Sequence, residues 1–269
     1  MRRAVWTPVL CAWLLLTGWG AWASEFPGRE IYKDVRVLST QELADRLEDV
    51  NVVDVRSRYE YETLHIKGAK NIPLSRMDFK EGVRELAQAT GKPIVFYCNG
   101  HTCMKSYKAA RRAQKAGLKD VYAYDSGIFD WVKAHPEQGV FLGKSPVPLD
   151  RLLSKEQLKA HMLPPEEFMK RAHEENGIIL DVRDRRQREG ISLFLGREHY
   201  VPLDNEKIAE YVEKARKEGR PLFVLDAVGK QVRWLQYFLE REGLQDYYFM
   251  DGGTRAYFEY LSRQERGQG

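Results

Sequence analysis

One run of this 269-residue chain occurs twice. Val52-Val53-Asp54-Val55-Arg56 returns as Ile179-Leu180-Asp181-Val182-Arg183. Lys92-Pro93-Ile94-Val95-Phe96-Tyr97 returns as Arg220-Pro221-Leu222-Phe223-Val224-Leu225, and Ser126-Gly127 with Trp131 returns as Gly252-Gly253 with Tyr257. These offsets lie between 126 and 128 residues, and Gly68 with Pro73-Leu74 finds a looser echo in Gly196 with Pro202-Leu203. Echoes kept in order at one spacing predict two copies of a single domain of a little over 100 residues. The expected boundaries are 24–140 for the first copy, 141–160 for a linker carrying Pro146 and Pro148, and 161–269 for the second.

Within a copy the periodicity alternates. Val52–Val55, Ile94–Tyr97 and Val121–Tyr124 are short apolar runs that read as buried strands. Ser39–Leu47 and Lys105–Ala116 read as amphipathic helices, the first opened by a Ser39…Glu42 capping box and the second stopped by Gly117. Strands alternating with helices give an α/β class: in each copy a mostly parallel sheet with helices on both faces, and a site at the strand C-terminal ends.

The first 23 residues read differently. Arg2 and Arg3 precede the apolar run Val9–Leu16, and Ala21-Trp22-Ala23 is a small-residue cleavage site, so an export signal removed after Ala23 is expected. An uncleaved membrane anchor is the alternative. Export predicts a periplasmic or otherwise secreted protein that meets membrane only in transit. The 43 Lys+Arg nearly balance 39 Asp+Glu, which gives no reason to expect nucleic acid. Beyond the signal only Cys98 and Cys103 remain, too few for a disulfide scaffold and close enough for one chemical site.

That site is the segment Tyr97-Cys98-Asn99-Gly100-His101-Thr102-Cys103-Met104-Lys105. A buried strand delivers Cys98 to its end and a helix follows. Successive backbone N–H groups in such a loop converge into an anion nest, and the helix N-terminus adds its positive end. A thiolate there is stabilised, and the same groups would hold an anionic substrate. Asn99, Gly100, His101, Thr102, Met104 and Lys105 are therefore candidate anion-binding residues, with Arg58 at a possible pocket rim.

With these residues in view, the chain resembles a tandem rhodanese-like sulfurtransferase. The likeness rests on Asp54-Val55-Arg56, on Leu64-His65-Ile66-Lys67-Gly68-Ala69-Lys70-Asn71-Ile72-Pro73, on Tyr97-Cys98 and on Ser126-Gly127 with Trp131. The resemblance implies a persulfide mechanism without cofactor. Cys98 would take the outer sulfur of thiosulfate or a persulfide donor and hand it to a thiol or other thiophilic acceptor, a protein thiol included.

The sequence departs from that family in three ways. The loop reads one or two residues longer than usual, and Met104 stands where phosphatase relatives carry a phosphate-gripping Arg. Cys103 is a possible resolving thiol, which opens a rival reading as a thiol-disulfide redox protein; packing is the blander role. In the second copy Asp226 takes the nucleophile's place, so that copy is expected to be silent. A non-enzymatic sulfur carrier or partner-binding module is the third reading. His65 reads as structural, His101 as a partner for the donor anion or a proton shuttle or else as merely solvated, and Asp54 with Arg56 as a partly buried pair bracing the sheet edge. The Cys and His spacing fits no metal site.

Overall fold

A computed structural model describes residues 25–188 and 192–267. The expected export signal lies outside the described residues.

In the N-terminal half the order is α1 (Pro27–Ile31), α2 (Thr40–Asp45), β1 (Asn51–Asp54), α3 (Arg58–Thr63), β2 (Leu64–Ile66), β3 (Lys70–Asn71), α4 (Phe79–Thr90), β4 (Ile94–Tyr97), α5 (Lys105–Gln114), β5 (Val121–Tyr124), α6 (Gly127–Ala134) and β6 (Gly139–Phe141). The C-terminal half continues with α7 (Lys155–Ala160), β7 (Met162–Leu163), α8 (Pro165–Glu174), β8 (Ile178–Asp181), β9 (Glu198–Tyr200), α9 (Asn205–Glu218), β10 (Leu222–Leu225), α10 (Val232–Arg241), β11 (Tyr247–Met250) and α11 (Gly253–Gly267).

The fold is α/β. Strands pair in parallel in the order β3-β1-β4-β5 in one sheet and β9-β8-β10-β11-β7 in the other. The two orders coincide strand for strand, and a parallel bridge from Val37 to Ala123 stands where β7 meets β11. Central strands β4, β8 and β10 are buried at all four positions, as continuous apolar runs covered on both faces require. Short β2 and β6 form a separate antiparallel pair.

The helix starts follow local chemistry. Ser39, Ser57 and Ser154 each accept an N–H at the third helical residue, and Glu42, Glu60 and Gln157 return the bond, so three capping boxes open α2, α3 and α7. Apolar contact between the halves is continuous: Phe129 stacks on Trp234 at 5.6 Å, and Phe141 meets Tyr237 edge-on at 5.6 Å. Within 141–160, where the linker was expected, Phe141 belongs to β6 and pairs with Leu64, and Lys155–Ala160 forms α7. Among the described residues no helix is long and apolar enough to cross a membrane.

Candidate functional site

Parallel sheets place their strand C-termini on one edge, and in the N-terminal half that edge carries the 98–104 loop. Cys98 leaves β4 fully buried, at 0% exposure. A disulfide joins it to Cys103, with Cα atoms 6.5 Å apart, inside the range such bonds span. The Cys98 Sγ also lies 3.2 Å from the Cys103 carbonyl oxygen and 3.8 Å from the Ser106 hydroxyl. The Cys98 carbonyl accepts the Ile128 N–H at 3.0 Å, which ties the loop to the start of α6.

Two glycines make this close fit possible. Gly127 has φ +73°, and a Cβ there would lie 2.3 Å from the Gly100 nitrogen. Gly100 has φ +140°, and a Cβ there would lie 2.7 Å from the Ser126 carbonyl oxygen. Both positions exclude side chains by conformation and by contact.

Beneath the loop sits a charged network. Arg56 donates to Asp54 at 2.6 and 2.9 Å, to the Leu64 carbonyl at 2.5 Å and to the Asn99 Oδ1 at 3.2 Å. Burial opposes its charge, but Asp54, joined by Tyr97 and Glu60, holds the guanidinium above its ordinary pKa. This corrects the expectation of a partly buried pair at the sheet edge. Both side chains are 0% exposed, β1 is an interior strand, and the pair grips the residue after Cys98.

Asn99 in turn donates to Glu60 at 3.2 Å. Burial pushes the Glu60 carboxyl up, yet the charges of Lys105 and Arg56 and the Ser57 N–H and hydroxyl together hold it below its usual value. Lys105 Nζ stands 3.9 Å from Glu60.

His101 is not simply solvated. Its ring bonds Asp130 at 2.6 Å, lies 3.2 Å from Glu25 and stacks on Phe26 at 4.5 Å. Arg29 covers Phe26 and forks onto the buried Asp125 at 2.8 and 3.1 Å, so the N-terminal segment is clasped against the loop. His65 Nδ1 donates to the Tyr61 carbonyl at 2.6 Å, and its ring stacks on the Tyr61 ring at 3.9 Å.

The loop faces a cleft of about 720 Å³ between the halves. Of the candidates from the sequence, Asn99, Gly100, His101, Thr102, Cys103 and Lys105 line it. Two candidates do not. Met104 is half-buried against the core, packed on the cluster that holds Phe96 and Tyr107. Arg58 points to solvent at the first residue of α3, its side chain 85% exposed and paired with Glu62 at 2.6 Å. The wall it was expected to provide comes instead from Glu60, two residues on, and from Lys230, Gln231, Arg233 and Trp234 of the other half. Glu60 had a signal in the sequence, the Ser57-x-x-Glu60 capping box, which turns the third helical residue back onto the chain end.

The matching loop after β10 begins with Asp226. Its carboxylate accepts N–H groups from Val228 (2.9 Å), Gly229, Lys230 (3.0 Å), Gln231 (2.7 Å) and Val232 (3.3 Å). That is a complete backbone nest, occupied by the chain's own anion. Gly253, with φ +63°, seals it as Gly127 seals the first loop. Gln231 then reaches across, accepting from the Ser57 hydroxyl at 2.8 Å and donating to Glu60 at 3.4 Å. Among the described residues no His, Cys, Asp and Glu group is arranged to hold a metal ion.

Comparison with known proteins places the N-terminal half. Residues 39–134 match the family described as the rhodanese-like domain. A 97-residue stretch is 38% identical to the HTH-type transcriptional regulator Rv0324 of Mycobacterium tuberculosis, covering 35% of this chain and 40% of that protein. Over 99 residues it is 33% identical to the probable adenylyltransferase/sulfurtransferase MoeZ of the same species (strain CDC 1551 / Oshkosh), covering 36% of this chain and 24% of that protein. The chain thus spans less than half the length of either. The uncharacterized protein YqhL of Bacillus subtilis is 32% identical over 97 residues, which cover 36% of this chain and 72% of YqhL. A strand-end cysteine, its loop and a match over most of a relative's length agree, and the chain belongs to the rhodanese-like family.

Proposed function

We propose that this protein is a sulfurtransferase with one active loop, that of Cys98. Thiosulfate or a persulfide donor would load Cys98 with sulfane sulfur. A thiol or another thiophilic acceptor, small molecule or protein, would remove it. The observation that carries this reading is the placement of Cys98 at the C-terminal end of β4, on the edge that faces the cleft. Around it, Lys105 and the start of α5 supply positive charge for an anionic donor.

The C-terminal half is read as a silent second copy of the same domain. Asp226 cannot form a persulfide, and its carboxylate already takes the N–H groups that would hold a substrate anion. Export follows from the leader pattern, with Ser24 as the first residue of the mature protein.

Mass spectrometry of the reduced protein after thiosulfate tests the activity. The gain of one sulfur atom on Cys98 in Cys103→Ser, where no neighbouring thiol can discharge it, and its absence in the Cys98→Ser, Cys103→Ser double variant, is the expected result. Absence of that gain in Cys103→Ser, with the fold intact, would refute it. Sequencing of the N-terminus after expression in a Gram-negative host tests export, and a full-length chain in the membrane fraction would oppose it.

A further inference from the structure

The two sulfurs of the disulfide are not equally accessible. Cys98 is enclosed at the end of β4, whereas Cys103 is partly exposed and lines the cleft beside Thr102 and Lys105. A thiolate that opens a disulfide must reach one sulfur directly, and it expels the other as the leaving thiolate. From the cleft, the reachable sulfur is that of Cys103.

We propose that Cys103 is the resolving thiol of this site, and that external thiols meet the oxidised protein at Cys103 and not at Cys98. Its first step rests on the persulfide reading above. The Cys103 thiolate attacks the Sγ of the Cys98 persulfide; the Sγ–Sγ bond forms, the bond to the sulfane sulfur breaks, and that sulfur leaves as hydrosulfide. The sulfane sulfur is reduced and the two cysteines are oxidised, so no other oxidant enters. The thiolate of an external thiol then attacks Cys103, forming a mixed disulfide there and freeing Cys98 as thiolate. A second equivalent of thiol takes the first as a symmetrical disulfide and restores Cys103. Over the cycle, thiosulfate and two thiols become sulfite, hydrogen sulfide and one disulfide.

The cleft indicates which thiol. Its volume of about 720 Å³ is of the size that holds drug-like ligands, far beyond what thiosulfate fills. Lys155 and Lys230 lie on its wall with no carboxylate paired to either among the described residues, and Arg233 is only loosely held, 3.8 Å from Asp251. Phe129 and Trp234 add a stacked apolar surface. A small thiol compound bearing carboxylates fits this lining.

Two measurements decide the matter. In the first, the oxidised protein is mixed with mercaptosuccinate, quenched with iodoacetamide and fragmented in the mass spectrometer. The thiol adduct is expected on Cys103 and the alkyl group on Cys98, and per unit of thiolate, mercaptosuccinate should react about tenfold faster than cationic cysteamine. An adduct on Cys98, alkylation of both cysteines without any reductant, or faster reaction with cysteamine would overturn the proposal. In the second, reduced protein receives one equivalent of thiosulfate and no other thiol. The parent should release one equivalent of sulfide and become oxidised, while Cys103→Ser keeps its sulfur until cyanide strips it. A parent that also keeps its sulfur would end the resolving role and leave the persulfide reading intact. If neither protein takes sulfur, the persulfide reading and the resolving step fall together, and the adduct position alone decides where thiols enter.

Discussion

After β4 the chain turns from Tyr97 into Cys98, and after β10 it turns from Leu225 into Asp226. Both strands are buried throughout, both loops lead into a helix, and both are closed from behind by a glycine at positive φ. The second loop reaches its helix at Val232, six residues after Asp226, and the first at Lys105, seven after Cys98. In the second loop five N–H groups converge on one carboxylate. In the first, the opening residue is bound to Cys103 within the loop. The backbone frame therefore belongs to the fold, and the residue at its mouth decides what occupies it. An internal carboxylate fills the frame permanently; a sulfur can leave and return.

Substitutions can test how far that contrast goes. The largest effect is expected from Cys98→Ser, which should lower thiosulfate turnover by more than about a thousandfold, whereas Asp226→Ala should leave turnover within a few-fold. Initial rates with cyanide as acceptor measure both. If Asp226→Ala removed turnover with folding intact, the second loop could not be called silent.

Next in size are the twin ion pairs. Asp54 with Arg56 and Asp181 with Arg183 have the same forked geometry and almost no exposure. Removing one member of a buried pair strands its partner, at a cost of roughly 3–5 kcal/mol. Asp54→Asn and Asp181→Asn should therefore lower stability to denaturant alike. Only the first should also slow turnover, because only Arg56 holds Asn99 beside Cys98. Equal turnover in the two variants would break the link from pair to loop.

Asp226→Ala should be milder in stability, since the freed N–H groups can recruit water. A loss of about 1–3 kcal/mol is expected, read from the denaturation midpoint, with Asp226→Asn between it and the parent. No loss at all would show that the filled nest does not hold the second loop together.

Smallest is a pH effect at Glu60. A carboxyl held below its ordinary pKa contributes stability that is complete above the ordinary value of 4.5 and is lost as pH falls through the lowered one. Melting temperature followed downward from that pH should decline less steeply in Glu60→Gln than in the parent. Identical slopes would mean that Asn99 and Lys105 gain nothing from the charge.

Much of this was visible in the sequence. The Ile94–Tyr97 and Val121–Tyr124 runs are β4 and β5 to the residue, and the Ser39…Glu42 and Lys105…Gly117 patterns mark real helix ends, because these depend on local propensity and capping. Both sheets share one strand order, at the spacing the sequence echoes predict. The cleft wall was not visible. Ser57 and Gln231 meet across 174 positions, and nothing local to either residue announces that contact. Arg58 was misplaced for a related reason: the helix begins there, so its side chain leaves the turn outward while Glu60 comes in. Met104 failed because a loop residue next to a helix start can face either the core or the cleft, and its size sent it to the core. For His101 the missing fact was the clasp of Glu25 and Phe26, a contact made by a segment far along the chain.

The stack of Phe129 on Trp234 has an optical consequence. Four of the six tryptophans, at positions 6, 13, 19 and 22, lie within the first 23 residues, so a protein cut after Ala23 would keep two indoles. Trp131 is sealed in the N-terminal half with its N–H on the Gln138 carbonyl. Trp234 stands on the cleft wall 5.0 Å from the Arg56 guanidinium. Emission from the first indole is set by the interior and should ignore what enters the cleft. Emission from the second is set by its charged and aromatic neighbours. A protein so cut would carry its own fluorescent gauge of cleft occupancy, with an internal reference, and would need no attached dye.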